Sequence, residues 1–266
     1  MNRFDKTFER LALAHEKALV GFVTAGDPDL PTSMKVIRAM CEGGLDILEL
    51  GVAFSDPTAD GPVIQRSSQR ALMSGMTVST AINMAAAVRE TCDIPIVLFS
   101  YYNPLLAYGA ERLYKDATAA GIDGLLVVDL PVEESGELTD HFAGDDLCLI
   151  RLVAPTTPPE RMEMIAKKSA GFIYVVSMTG VTGSGGLSRE VVSNTTLLLK
   201  GITKLPVCVG FGISTPDHVA AVVRVADGVV VGSAFERVIE SNAKDPGLPE
   251  KMRHYVGLLK RATRLG

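Results

Sequence analysis

Residues that bind metals or carry redox chemistry are few and scattered in this sequence. Its 266 residues hold four cysteines (Cys41, Cys92, Cys148 and Cys208) and four histidines (His15, His141, His218 and His254), with no CxxC pair. No metal site is expected from that distribution. The cysteines lie in or beside apolar runs, the setting of buried free thiols in a reducing compartment. Long apolar runs are missing as well, and none approaches a membrane span. Met1 to Lys17 is dense in charge and lacks the apolar stretch of a signal peptide, so a cytoplasmic location is expected. Runs of one charge are also absent. A net charge of −5 spread along the chain argues against nucleic acid or an anionic membrane as the main partner, and leaves any anionic substrate to be held by local geometry. What remains is ordinary globular composition, 47% hydrophobic and 21% charged, in a chain long enough to bury a sizeable core.

Hydrophobic periodicity divides the chain into a repeating alternation. Phe4, Phe8 and Leu11 recur at helical spacing and predict a short amphipathic helix ahead of the first strand. Strands are predicted at Ala18 to Ala25, Leu45 to Gly51, Ile94 to Tyr101, Gly124 to Asp129, Leu147 to Val153, Phe172 to Ser177, Pro206 to Val209 and Gly228 to Val231. Helices are predicted between them: Pro31 to Cys41, then Ile64 to Met73 and Val78 to Glu90 separated by Ser74-Gly75. They continue with Leu105 to Ala119, Val132 to Phe142, Pro158 to Ser169, Ser188 to Leu199 and a segment ending near Val225. The last strand enters GSAFE (Gly232 to Glu236) and a short helix, and a final helix, roughly Gly247 to Arg264, closes the chain. Eight strand–helix units with no composition shift match a single (β/α)8 TIM barrel over residues 1–266, with an added N-terminal helix and extra helices near strands 2 and 8. An open doubly wound sheet would show its glycine fingerprint after the first strand; here the glycine-rich loops follow strands six, seven and eight.

The stretch Leu48 to Pro62, LELGVAFSDPTADGP, carries the chemistry. Alternation along the second strand sets Leu48 and Leu50 on one face and Ile47, Glu49 and Gly51 on the other. A carboxyl in a strand with two apolar faces resists ionisation, so the pKa of Glu49 is expected to rise. Asp60 lies in the following loop with Asp56, Pro57, Gly61 and Pro62, in different surroundings, and two acids in different settings can divide acid and base roles. Barrel active sites lie at the C-terminal ends of the strands, where Gly183, Gly212, Gly232 and Ser233 offer unobstructed N–H groups to a phosphate. Phe22, Phe99, Tyr101, Leu126, Val128, Leu152 and Phe211 occur near the same strand ends and are candidates to wall a flat aromatic substrate. Tyr174 carries a hydroxyl that Glu49 is placed to partner. The loop GVTGSGG, Gly180 to Gly186 with Thr182 inside it, reads as a mobile lid.

These motifs together, LELG, FSDP, ADGP, YYNP (Tyr101 to Pro104), VDLPVEES (Val128 to Ser135), APTTP (Ala154 to Pro158), Ser177 with GVTG, GFGIS and GSA, resemble the tryptophan synthase alpha chain family from Phe4 to the C-terminal helix. The resemblance implies retro-aldol cleavage of indole-3-glycerol phosphate to indole and glyceraldehyde 3-phosphate. Glu49 would move protons at the glycerol hydroxyl and indole C3, with Tyr174 assisting. Asp60 would accept the indole N–H, and the glycine loops would hold the phosphate. No cofactor is implied in this chain, while a pyridoxal-phosphate beta chain is implied as partner in an alpha2beta2 complex, docking near Asp56, Asn103-Pro104 and Pro131. The chain departs from the family pattern at Ala53, generally proline, and at Thr58, commonly leucine; the alanine is expected to loosen the catalytic loop. The lack of tryptophan fits a family that makes it. Three alternatives stay open: a stand-alone indole-3-glycerol-phosphate lyase, a different phosphate-binding barrel enzyme, and a non-catalytic regulatory barrel.

Overall fold

The computed structural model describes residues 2–142, 144, 146–176, 189–210 and 212–264. Its apolar runs form eight parallel strands: β1 (Ala18–Thr24), β2 (Ile47–Gly51), β3 (Ile96–Ser100), β4 (Gly124–Val127), β5 (Cys148–Val153), β6 (Ile173–Val176), β7 (Val207–Gly210) and β8 (Gly228–Val231). Each strand pairs with the next and β8 returns to β1, closing the barrel. Helix α1 (Arg3–Leu13) precedes β1, and α2 (Leu30–Glu42) links β1 to β2. Helices α3 (Pro62–Met73) and α4 (Val78–Arg89) follow β2, while α5 (Tyr102–Tyr108) and α6 (Ala110–Ala119) follow β3. Then come α7 (Gly136–Thr139), α8 (Pro159–Lys167), α9 (Arg189–Ile202), α10 (Pro216–Val222), and, after β8, α11 (Ser233–Ser241) and α12 (Leu248–Arg261). Among the described residues no single helix is long and apolar enough to cross a membrane.

Several helices differ from the sequence expectation. The segment Leu105 to Ala119 is two helices broken at Gly109, whose φ of +92° does not fit a helix, so β3 also carries an extra helix. Val132 to Phe142 contains only the four-residue α7, and only Leu138 of that helix is buried. Helix α10 stops at Val222 rather than near Val225, and its cap is Thr215, whose hydroxyl accepts the His218 N–H, with Pro216 at the first position. The short helix expected after the last strand is α11, which already begins within GSAFE at Ser233.

The strands bury both faces, as a parallel barrel requires. Leu48 and Leu50 pack outward under the helices, while Ile47 faces a barrel interior built with Val20, Val97, Leu126, Ile150 and Val230. At the end where the strands begin, α1 inserts Phe4 and Leu11 into that interior, and the Phe4 ring meets Phe172 edge-on at 5.9 Å. Three aspartates clamp the same end. Asp46, Asp123 and Asp227 each immediately precede a strand and accept a backbone N–H from the strand before it: Leu19 at 2.9 Å, Ile96 at 2.9 Å and Val207 at 3.1 Å. Each also holds two cations, Arg10 and Lys260 on Asp46, Arg3 and Arg89 on Asp123, and on Asp227 Lys200 of α9 and Lys17 from the segment before β1. Stability is thus concentrated at the strand starts, and the strand ends are left to the loops.

Candidate active site

Glu49 points into the barrel because β2 alternates, and the interior around it is apolar. The residue is 1% exposed and, among the described residues, its Oε1 has no hydrogen-bond partner. Burial alone therefore pushes its carboxyl up to about 8, so it keeps its proton at neutral pH.

Asp60 is delivered by the loop between β2 and α3, which is tied down by short contacts. The Asp60 N–H donates to Pro57 O at 3.1 Å, Gln65 Nε2 donates to Asp60 O at 2.9 Å, and the Ala59 N–H donates to the Tyr101 hydroxyl at 2.9 Å. Half-burial pushes the Asp60 carboxyl up to about 6, and hydrogen bonding to the Tyr101 hydroxyl opposes that rise. Two acids thus share one cavity with their proton affinities separated by about two units, the neutral one buried and the ionised one at the mouth.

That cavity is lined by Phe22, Glu49, Asp60, Ile64, Phe99, Tyr174, Gly210, Gly212, Ile213, Val230, Gly232 and Ser233. Phe22 and Phe99 meet edge-on at 5.0 Å and form an aromatic wall. The Tyr174 ring lies over Gly210, where a β-carbon would collide with its hydroxyl. No hydrogen bond joins Tyr174 to Glu49 among the described residues; the charge of Glu49, acting after burial, instead helps to raise the Tyr174 hydroxyl well above its ordinary range. In the same cavity, after β8, Gly232 caps α11 without a side-chain hydrogen bond among the described residues and Ser233 begins the helix. The first-turn N–H groups have no intrahelical acceptor, so an anion is favoured there.

Part of the expected aromatic wall is elsewhere. Leu126 is fully buried in the barrel interior and does not line this cavity, and Val128 and Leu152 pack beside that interior core and line a separate cavity with Arg151 and Arg161. Tyr101 is 3% exposed, packs against Phe54 at 5.2 Å and supports the Asp60 loop rather than lining the pocket. Gly183, Thr182 and Phe211 lie outside the described residues, as do Ser177 and the GVTGSGG segment. Ile64, Gly210, Ile213 and Val230 were missed. Alternation from Gly232 back to Val230, and from Cys208 to Gly210, was the signal that pointed inward. Asp56, Asn103 and Pro131 are exposed together on the rim formed after β2, β3 and β4.

The family model for the tryptophan synthase alpha chain matches residues 8–263. A tryptophan synthase alpha chain of Desulfatibacillum aliphaticivorans is 61% identical over 264 residues, covering 99% of this chain and all of that one. That of Desulfosudis oleivorans is 59% identical, covering 98% of this chain and all of that one. Among solved structures, tryptophan synthase subunit alpha from Legionella pneumophila superposes with a TM-score of 0.91 at 36% identity, covering 99% and 98% of the two chains. A ligand-free tryptophan synthase from M. tuberculosis gives 0.89 at 32% identity over the full length of both chains.

Proposed function

The chain belongs to the tryptophan synthase alpha chain family, and from that premise we propose that Glu49 and Asp60 divide the proton and charge work of its reaction. That reaction is the lyase cleavage of indole-3-glycerol phosphate to indole and glyceraldehyde 3-phosphate, a step of tryptophan biosynthesis. The observation that carries the assignment is the pairing of a neutral, buried Glu49 with an ionised Asp60 across one cavity.

Glu49 in its protonated form gives its proton to indole C3, and the ring becomes an indolenine-like cation. The Asp60 carboxylate accepts the indole N–H and stabilises that cation. Glu49, now a carboxylate, removes the proton of the adjacent glycerol hydroxyl. The C–O bond becomes a carbonyl, the bond to C3 breaks, and its electron pair restores the indole ring. Glu49 ends protonated, as it began. The cationic ring is the electron acceptor, so the step calls for no cofactor in this chain.

Phe22 and Phe99 wall the indole, and Gly212, Gly232 and Ser233 receive the phosphate at the start of α11. Gly183, Thr182 and Phe211 keep their roles in phosphate binding, lid and indole pocket as part of the same reading, and Tyr174 is a pocket wall whose hydroxyl stays protonated beside Glu49. The exposed rim of Asp56, Asn103 and Pro131 receives the beta chain of an alpha2beta2 complex, whose pyridoxal phosphate consumes the indole. Four cysteines that form no disulfide fit a reducing compartment, the cytoplasm.

The test is indole release from indole-3-glycerol phosphate by wild type, Glu49→Gln and Asp60→Asn, each with and without beta chain. Loss of about 10²–10⁴-fold in each variant is expected. In the wild type, kcat/KM should rise with pH through about 6 as Asp60 ionises and fall through about 8 as Glu49 loses its proton. Acceleration by the beta chain is expected; full-rate cleavage without it would favour a stand-alone lyase.

A further inference from the structure

A second buried carboxyl, Glu236, lies one turn into α11, directly behind the helix start that receives the phosphate. It is fully buried. Its Oε1 accepts the Thr24 N–H at 2.6 Å, while its Oε2, as a carboxylate oxygen, has no hydrogen-bond partner among the described residues. The Glu236 carboxyl lies within hydrogen-bond reach of Asp27, which is also fully buried and receives Arg70 Nε at 2.6 Å and Nη2 at 2.8 Å. Arg70 Nη1 donates to Glu240 at 2.9 Å, and Arg66 grips the same Glu240 through Nε at 2.6 Å and Nη2 at 2.8 Å. The Thr24 hydroxyl is hydrogen-bonded to Ser67 at 2.7 Å.

Charge counting fixes the protonation state. Arg66 and Arg70 balance Asp27 and Glu240, and a third negative charge on Glu236 would be buried without a counter-ion. A proton on Oε2 removes that charge and gives the orphan atom a partner, since an O–H then donates to Asp27. Burial and the neighbouring Asp27 charge both push the Glu236 carboxyl well above the ordinary carboxylate range.

The cluster also joins the three elements that carry the site. Thr24 ends β1, two residues after Phe22. Ser67, Arg66 and Arg70 lie on α3, which begins two residues after Asp60, and Glu236 and Glu240 lie on α11. We propose that Glu236 is a positioning residue: a neutral carboxylic acid whose Oε2–H donates to Asp27 and whose Oε1 accepts the Thr24 N–H, setting the start of α11 relative to α3 and the Asp60 loop. This rests on the reading of α11 as the phosphate site.

Glu236→Gln tests it most directly, because the amide can donate to Asp27 and accept from Thr24 without a charge. Its KM and kcat for indole-3-glycerol phosphate should stay within about twofold of wild type. Glu236→Leu keeps the bulk but leaves Asp27 and the Thr24 N–H without these partners. It should raise KM about tenfold or more with a smaller change in kcat, and weaken inorganic phosphate binding by calorimetry to a similar degree. Infrared spectra should contain the C=O band of a protonated carboxyl that Glu236→Gln removes, a result that does not depend on how well the leucine variant folds. A glutamine variant as impaired as the leucine one, a missing infrared band, or a leucine variant with wild-type KM and phosphate affinity would each overturn the proposal. A wild type that neither binds phosphate nor releases indole would overturn the reading of the site instead.

Discussion

Glu49 is buried at the cost of its own ionisation. The folded chain holds its proton up to about 8, whereas an exposed glutamate releases it near its ordinary value of 4.5, so folding stability should fall as pH rises between those values and be flat above them. Glu49→Gln removes this loss. Its advantage over wild type should be small at pH 5 and grow to as much as about 5 kcal/mol above pH 8, read by denaturant titration at both ends; an equal pH dependence in the two proteins would show that Glu49 ionises normally. Tyr101 acts at the same scale. Phenylalanine there keeps the ring against Phe54 but removes the acceptor of the Ala59 N–H and the hydroxyl partner of Asp60. Tyr101→Phe should cost about 1 kcal/mol of stability and move the acid limb of kcat/KM to higher pH, whereas an unmoved limb would reduce Tyr101 to packing. The two residues also show what the sequence could reveal. Glu49 was legible because period-two alternation holds throughout β2. Tyr101 was misplaced because β3 ends at Ser100, and residue 101 caps α5 and turns toward the Asp60 loop instead of following the strand into the pocket. Leu126 differs for another reason: alternation gives the side a residue faces but not what it meets there, and Leu126 is packed wholly inside the interior core instead of against the open space.

At the scale of elements, the alternation of strand and helix was legible because each strand is an apolar run bounded by turn residues. The break at Ser74-Gly75 was legible too, but the one at Gly109 was not. Leu105, Leu113 and Ala117 keep an apolar face on both sides of Gly109, so periodicity carries straight through a residue whose φ of +92° ends one helix and starts another. Space around Gly109 is open, with nothing within 4 Å of an added β-carbon, so alanine there meets only backbone strain. Gly109→Ala should lower stability by about 1–2 kcal/mol with indole release by the isolated chain unchanged. Unchanged stability would mean that the α5–α6 junction adopts another conformation at little cost. The segment before β5 failed as a helix because α7 buries only Leu138, too little apolar surface to hold a longer one.

Over the whole molecule the two ends of the barrel do different work. The strand starts carry Asp46, Asp123 and Asp227 with their backbone and cation partners, and α1 seals them with Phe4. The strand ends carry Glu49, the Asp60 loop and the start of α11, where, among the described residues, a buried carboxyl oxygen has no hydrogen-bond partner and first-turn N–H groups have no intrahelical acceptor. This division predicts that damage at one end is not felt as chemistry at the other. Phe4 is fully buried, meets Phe172, and lies close enough to Gly124 that a β-carbon there would be 3.2 Å from its ring. Truncating it opens a cavity between α1 and the strand starts that the rigid barrel cannot close. Phe4→Ala should therefore lose about 3–5 kcal/mol in denaturant unfolding, while kcat and KM for the folded enzyme, measured well below its melting temperature, stay at wild-type values. A shift in KM at unchanged folded fraction would mean that α1 communicates with the substrate cavity through the stacked interior layers, and that the separation of the two ends is incomplete.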